Sequence, residues 1–408
     1  MSVDVNGPAG KPAGTPETPP KENNGTQLVR EIMSGNAVIS LLAVVVALVI
    51  GGILIAVTDV RVTTAFGYFF SDPGATFRAI WAAVSDAYGA LWRGATYDPG
   101  ARTWQGRLGI FETLTFATPL ILSGLAVTLA FRVGLFNIGA QGQIILGATF
   151  AGVVGFMMEL PPGIHLLAVV LAGAIGGALW GGIAGFLKAK TGAHEVIVTI
   201  MLNYIAISLV LYLLKNQLQD PSSSNPISPS MHPTAMFPLL LGPNYRVHAG
   251  LILAVLAVVV VAWILNRSTL GFEYRAIGAN PRAARTAGMV VSRGYISVML
   301  ISGALAGLAG VTQLAGTEKT LDSNIAGSIG FDAITVALLG RSKPWGTFFA
   351  ALLFGAFKAG GTSMAINADV SIDIVAVVQS LIVLFIAAPP LIRSMFRIRE
   401  VRREGVRA

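Results

Sequence analysis

Apolar residues run almost unbroken through ten stretches of the chain. They lie at about 37–57, 109–130, 140–158, 164–187, 195–214, 248–265, 295–315, 326–340, 345–363 and 371–388. Most approach the roughly 20 residues that a helix needs to cross the hydrocarbon core of a bilayer. The pattern predicts an all-α, polytopic membrane protein of about ten transmembrane helices. Two stretches are irregular. The eighth is short and flanked by glycine, and the third follows directly on "FRVGLFNIGAQGQIILGA", which starts at Phe131. At least one broken or re-entrant helix is expected there, because backbone leaves the helical state at membrane depth only where protein or a water-filled cavity satisfies it.

The segments around the spans divide the chain into three. Residues 1–35, rich in Pro, Gly, Thr and Asn without apolar periodicity, predict a disordered tail. Residues 36–390 form the transmembrane domain, and 391–408 a basic tail. With the N-terminus inside, sixteen lysines and arginines fall in inner loops and the C-terminal tail, against eight in outer loops. The positive-inside rule therefore places both termini in the cytoplasm. Within 72–94, Asp72 can cap a helix and Pro73 suits its first position. Phe77, Ile80, Trp81, Val84, Tyr88, Leu91 and Trp92 then follow at helical spacing. That segment reads either as a helix lying in the outer interface or as a short helix packed on neighbouring spans. Residues 215–247 are a long, Pro-rich outer loop, placed to touch an external partner.

Composition narrows the chemistry. Of 408 residues, 54% are hydrophobic and 12% charged, too few charges to cover a soluble chain of this length. There is no cysteine, which removes disulfides, thiol catalysis and cysteine-ligated metals. The net charge of +8 implies no nucleic-acid partner, since the basic residues flank membrane spans. His165, His194, His232 and His248 have no metal-ligand spacing, so no metal site is expected. No phosphate-binding "GxxxxGK[ST]" occurs, so this chain is not itself an ATPase, and no cofactor or enzymatic activity is expected of it.

Polar groups inside spans are costly and usually face a cavity or a partner. Here they are Glu112, Asn137, Gln141, Gln143, Glu195, Asn203, Asp332 and Lys358. Asn137, Gln141 and Gln143 offer neutral donors and acceptors beside glycines that let the backbone bend, which suits a path for a small polar solute. Asn203 is the deepest amide of its span and joins them as a pathway candidate. The alternative is that these amides satisfy the backbone of a broken helix. Glu112, Glu195 and Asp332 sit near helix starts, where a carboxylate meets unpaired amides, and are structural carboxylates first and pathway groups second. Lys358 is expected to snorkel toward the outer face.

The largest inner loop reads "NRSTLGFEYRAIGANPRAARTAGMVVSRG". Asn280 is a good N-cap, Pro281 fits the first helical position, and Gly288 can stop the helix. This punctuation predicts a two-turn helix outside the membrane. Ala283, Ala284 and Ala287 would allow close approach by a partner, and Arg275, Arg282 and Arg285 would seek acidic groups. The same arginines could serve only to enforce topology.

Four blocks in order now carry a family resemblance: "GLFNIGAQGQIILGA", "GAHEVIVTIMLNYIA", "YRAIGANPRAARTAGM" and "GFDAITVALLGRSKPWG". Together they resemble permease subunits of ATP-binding-cassette (ABC) importers, in the branch serving branched-chain amino acids, simple sugars and nucleosides. The similarity is closest to the longer permease of nucleoside importers and covers most of 109–365. It implies a cytoplasmic ABC ATPase that binds the ATP and docks on the 273–289 loop. It also implies a second permease subunit, a shorter homologue, and an external substrate-binding lipoprotein, in a bacterial inner membrane. Transport would be by alternating access. The rivals are an ABC permease for simple sugars and a proton-coupled secondary transporter, with Glu112, Glu195 or Asp332 as proton carriers.

Overall fold

A computed structural model describes residues 36–100 and 108–387; the tails expected at 1–35 and 391–408 lie outside the described residues. All ten apolar stretches are helical. They are α1 (Asn36–Thr58), α4 (Gly109–Arg132), α5 (Ala140–Met157), α6 (Ile164–Thr191) and α7 (Glu195–Asn216), then α8 (Gly250–Arg267), α11 (Val291–Val311), α12 (Ile329–Leu339), α13 (Pro344–Asn367) and α14 (Ile372–Ala387). The remaining helices are α2 (Val60–Phe66), α3 (Pro73–Ala95), α9 (Thr269–Ala279) and α10 (Pro281–Thr286). Among the described residues there is no strand.

Seven helices are individually long and apolar enough to cross a membrane: α4, α5, α6, α7, α8, α13, and α11 continued by a π turn over Thr312–Glu318. The end of α1 and α2 form a pair bent by 70°. At 11 residues, α12 rises only about 16 Å, roughly half a bilayer core. It is the short eighth span of the sequence reading.

Between helices in lipid there is little hydrophobic drive, so close backbone packing by small residues holds them together. The contact of α6 with α11 is built this way. Gly173, Gly177, Gly181 and Gly185 recur every four residues on one side of α6. A Cβ on Gly177 would meet Gly307 Cα at 2.6 Å, and one on Gly181 would meet the Met299 carbonyl oxygen at 2.5 Å. Gly147 brings α5 against the same Gly307.

Asp72 accepts a bond from Ala75 N at 2.9 Å, and Pro73 opens α3, as the sequence predicts. The packed side of α3 is alanine, with Ala83, Ala87, Ala90 and Ala95 buried against neighbouring helices. Phe77, Trp81 and Trp92 point outward, more than 60% exposed. The helix packs its small residues on the spans, as the second expectation has it, and turns its large aromatics away from them.

Contacts between separate elements define the two ends of the bundle. At one end, Arg132 Nε donates to the Ser342 carbonyl at 2.8 Å, and Lys188 pairs with Glu195 at 2.8 Å. At the other, the 217–249 loop is bonded onto the helices. Ser228 N donates to Leu321 O at 2.9 Å, His232 N to Gly155 O at 2.9 Å, and Phe237 N to Ala315 O at 3.1 Å.

Candidate functional site

The amides of the "NIGAQGQ" stretch gather where α4 ends and α5 begins. Beyond Arg132 the chain turns through Gly134, at φ +78°, and stays non-helical until Ala140. A helix start leaves backbone N–H groups without intrahelical partners, and lipid offers none. Amide side chains take them up. Asn137 Oδ1 accepts from Gly139 N at 3.0 Å, and Asn203 Oδ1, on α7, accepts from Gly142 N at 2.8 Å. Asn203 Nδ2 donates to the Ile138 carbonyl at 2.9 Å, closing a loop around the break.

Gln141 performs the same service for a second helix start. Its Oε1 accepts from Gly330 N at 3.0 Å and its Nε2 donates to Gly327 O at 2.7 Å, tying α12 to α5. A Cβ on Gly330 would strike the Gln141 backbone, so glycine is required for this approach. Asn137 and Gln143 also form a reciprocal pair, with Asn137 Nδ2 to Gln143 Oε1 at 3.0 Å and Gln143 Nε2 to Asn137 Oδ1 at 3.1 Å. Asn137 Nδ2 reaches Ser302 Oγ on α11 at 2.8 Å, and Ser302 Oγ donates to Ala126 O at 2.7 Å. All four amides are buried and bonded to protein. Solute contact by any of them would require these bonds to be exchanged.

The three carboxylates are dispersed. Glu112, at the start of α4, pairs with Arg246 at 3.4 Å and is 40% exposed. Glu195 opens α7 at the opposite end, paired with Lys188. Asp332, in the first turn of α12, pairs with Lys358 of α13 at 2.8 Å. The snorkelling expected of Lys358 is therefore corrected: its ammonium is held inward by Asp332 and by Ser328 Oγ at 3.0 Å.

At the Arg132–Lys188 end, Asn280 Oδ1 accepts from Arg282 N at 3.0 Å and Ala283 N at 3.1 Å. Pro281 opens α10, and Gly288 follows it at φ +85°. Buried Tyr274 and Ile277 anchor α9, with Tyr274 Oη bonded to Ser297 Oγ at 2.9 Å. Arg275, Arg282, Ala283, Arg285 and Ala287 are exposed. Ala284 is not. It is 4% exposed and belongs to the chain's own core, so its expected place on a partner-facing surface is corrected. One side of so short a helix must face its own bundle to hold it there, and that side is Ala284.

At the other end, Gly316 of the π turn packs against His248, whose ring stacks on Phe237 with centroids 5.5 Å apart. Nδ1 accepts from Gly250 N at 3.2 Å, while the buried Nε2 has no partner among the described residues. Burial, reinforced by the Arg246 charge, lowers the imidazole to about 4.

Residues 109–387 match the model of the family described as branched-chain amino acid transport system / permease component. The chain belongs to this family. It is accordingly a multi-pass membrane protein and a transport subunit. It is 42% identical over 324 residues to the guanosine ABC transporter permease protein NupP of Bacillus subtilis, covering 79% of this chain and 90% of that one. The glucose ABC transporter permease protein TsgB13 of Haloferax volcanii is 37% identical over 74% of this chain and 80% of its own. The nucleoside ABC transporter permease protein NupB of Lactococcus lactis is 39% identical over 70% and 81%. No solved structure matches the chain.

One participant, Ser302, escapes sequence reasoning: it is one small polar residue in a glycine-rich span and carries no local signal of its distant partner. The pairing of Lys358 did carry a signal, a carboxylate in the preceding span at Asp332.

Proposed function

We propose that this chain is the permease subunit of an ATP-driven importer that carries nucleosides into the cell by alternating access. The observation that carries the reading is the α9–α10 hook. It is an exposed, fully capped helix fastened to the bundle by Tyr274, Ile277 and Ala284. A carrier driven by its own ion gradient has no need of such a projection, whereas a motor in another chain needs something to hold. Ala283 and Ala287 supply close contact, Arg282 and Arg285 its charged rim, and Arg275 a further exposed charge on α9. ATP and its hydrolysis belong to a cytoplasmic ABC ATPase docked there, so this chain is not an enzyme and holds no cofactor.

The hook end carries Arg132, Lys188, Lys190, Arg267 and Arg341, and this basic excess supports a cytoplasmic hook, with both termini on the cytoplasmic side of a bacterial cell membrane. The 217–249 loop then faces outward and is the docking surface for a substrate-binding lipoprotein. A second permease, a shorter homologue, completes the pathway. Guanosine and nucleoside permeases among the relatives favour a nucleoside as cargo. The glucose permease supports a second reading, a simple sugar.

The test is uptake by the chain co-expressed with its ATPase, second permease and binding protein in sealed vesicles. Guanosine uptake should require ATP hydrolysis and ignore a pH gradient. Ala283→Glu and Ala287→Glu should release the ATPase on purification. Uptake by this chain alone, driven by protons, would overturn the reading, and glucose uptake in place of guanosine would select the sugar importer.

A further inference from the structure

Four of the ion pairs among the described residues join groups close to helix ends or in loops. Asp332–Lys358 joins the first turn of α12 to the middle of α13. Lys358 is the fifteenth residue of the 24-residue α13, about 21 Å along it and near mid-span. The pair is closed into a triad by Ser328, whose Oγ donates to Asp332 Oδ2 at 2.7 Å and accepts from Lys358 Nζ at 3.0 Å. The two charged side chains remain 21% and 24% exposed. A charged pair left open at this depth is expensive against lipid, so it faces protein or a water-filled path.

The open side of the triad is one wall of a cleft of about 350 Å³, within the range of small-molecule pockets. The other walls come from different helices: Phe116 from α4, Phe357 and Thr362 from α13, Gln379 and Ser380 from α14. The cleft thus joins a donor–acceptor triad of no net charge, two aromatic rings, a neutral amide and hydroxyls. The buried amides of Asn137, Gln141, Gln143 and Asn203 are committed to protein, whereas in this cleft polar groups meet open space.

We infer that the Asp332–Lys358–Ser328 triad and its cleft form a solute-binding station on the transport path, taking an uncharged nucleoside. A vicinal ribose diol both donates to Asp332 and accepts from Lys358, which a purely acidic or purely basic site could not match. Phe116 and Phe357 supply apolar ring surface for the base, and Gln379 supplies a donor and an acceptor for its edge. A nucleoside monophosphate would bring two negative charges to a site with only one, already paired, cation. This inference rests on the importer reading above and gives that reading a place in the fold.

The absence of cysteine from the chain makes the test direct. Ser380→Cys and Thr362→Cys are made singly in the complete transporter, in vesicles open on both sides. Each is then exposed to a water-soluble sulfonate-bearing thiol reagent, and labelling of this chain is followed by mass. Ile252→Cys, on the exposed apolar face of α8, sets the background. Both cleft cysteines should label above it. Guanosine at ten times its half-protecting concentration should slow that labelling about tenfold by mass action, and guanosine monophosphate should not slow it. Separately, Asp332→Asn should raise the half-saturating guanosine concentration about tenfold or more, through loss of a charge-assisted bond, while the ATPase stays bound. Cleft cysteines that stay at background, or that label without protection by guanosine, overturn the station even where the wild type imports guanosine. A wild-type complex that imports neither guanosine nor glucose overturns the importer reading and the station with it.

Discussion

Replacing Asn137 with leucine tests what the amide cluster is for. Leucine has the same number and branching of side-chain heavy atoms, so the change removes hydrogen bonds rather than opening a cavity. Four contacts are lost: those to Gly139 N, to both ends of the Gln143 amide, and to Ser302 Oγ. Ser302 keeps its bond to Ala126 O. Three buried groups are left unpaired, namely Gly139 N–H, Gln143 Oε1 and Gln143 Nε2. At about 1–3 kcal/mol each this amounts to roughly 3–9 kcal/mol, a large part of the ~5–15 kcal/mol that holds a typical domain folded. Asn137→Leu should therefore lower the melting temperature sharply and spoil assembly, with uptake lost as a consequence. The double variant Asn137→Leu/Gln143→Leu separates this account from solute contact. Gln143 bonds only to Asn137 in this cluster, so removing both leaves one unpaired group, at about 1–3 kcal/mol. The second substitution should rescue stability lost to the first, a coupling of opposite sign to simple additivity. Thermal melts and size-exclusion profiles of the purified complex give the measurement. A single variant that assembles, melts and hydrolyses ATP as the wild type does, yet carries no solute, would refute the reasoning and return Asn137 to the pathway.

Two further outcomes follow from the packing and the buried histidine. Gly177→Val should prevent a monodisperse complex, because its side chain would meet backbone of α11 at Gly303 and Gly307. Gly182→Ala on the same helix meets only the tip of Leu300 and should melt near the wild type. Burial holds the His248 imidazole of the folded chain down at about 4, below its ordinary 6.5. Between those values the unfolded chain binds a proton that the folded chain refuses, so stability is full above pH 6.5 and falls as pH drops toward 4. The fall is at most about 3 kcal/mol. His248→Gln, which keeps an acceptor for Gly250 N, should flatten the melting temperature between about pH 7 and 5. Equal slopes in the two proteins would exclude His248 as the cause.

The spans were legible because a membrane makes secondary structure a local matter. A run of about 20 apolar residues in lipid must bond its own backbone, whatever the rest of the chain does. The same holds for α10, where Asn280, Pro281 and Gly288 cap the helix within nine residues, and for the Asp72–Pro73 start of α3. The breaks before α5 and at α12 could be placed from glycines and amides clustered in otherwise apolar sequence. Their partners could not.

By itself, then, the sequence determined the helices, their caps, the positions of the two breaks and the asymmetry of basic residues. Tertiary structure alone decided which polar groups are spent and which stay open. Asn137 finds Ser302 across 165 residues and Gln141 finds Gly330 across 189, and both amides are consumed in joining helices. Ala284 turns toward its own bundle, while Lys358 turns inward to Asp332 and leaves a charged wall on a cleft. The physical reason is common to all of them. Lipid offers no hydrogen bonds and little hydrophobic drive between helices. Each polar side chain therefore takes the partner that packing brings within about 3 Å, and that partner lies on a helix whose placement no local pattern encodes.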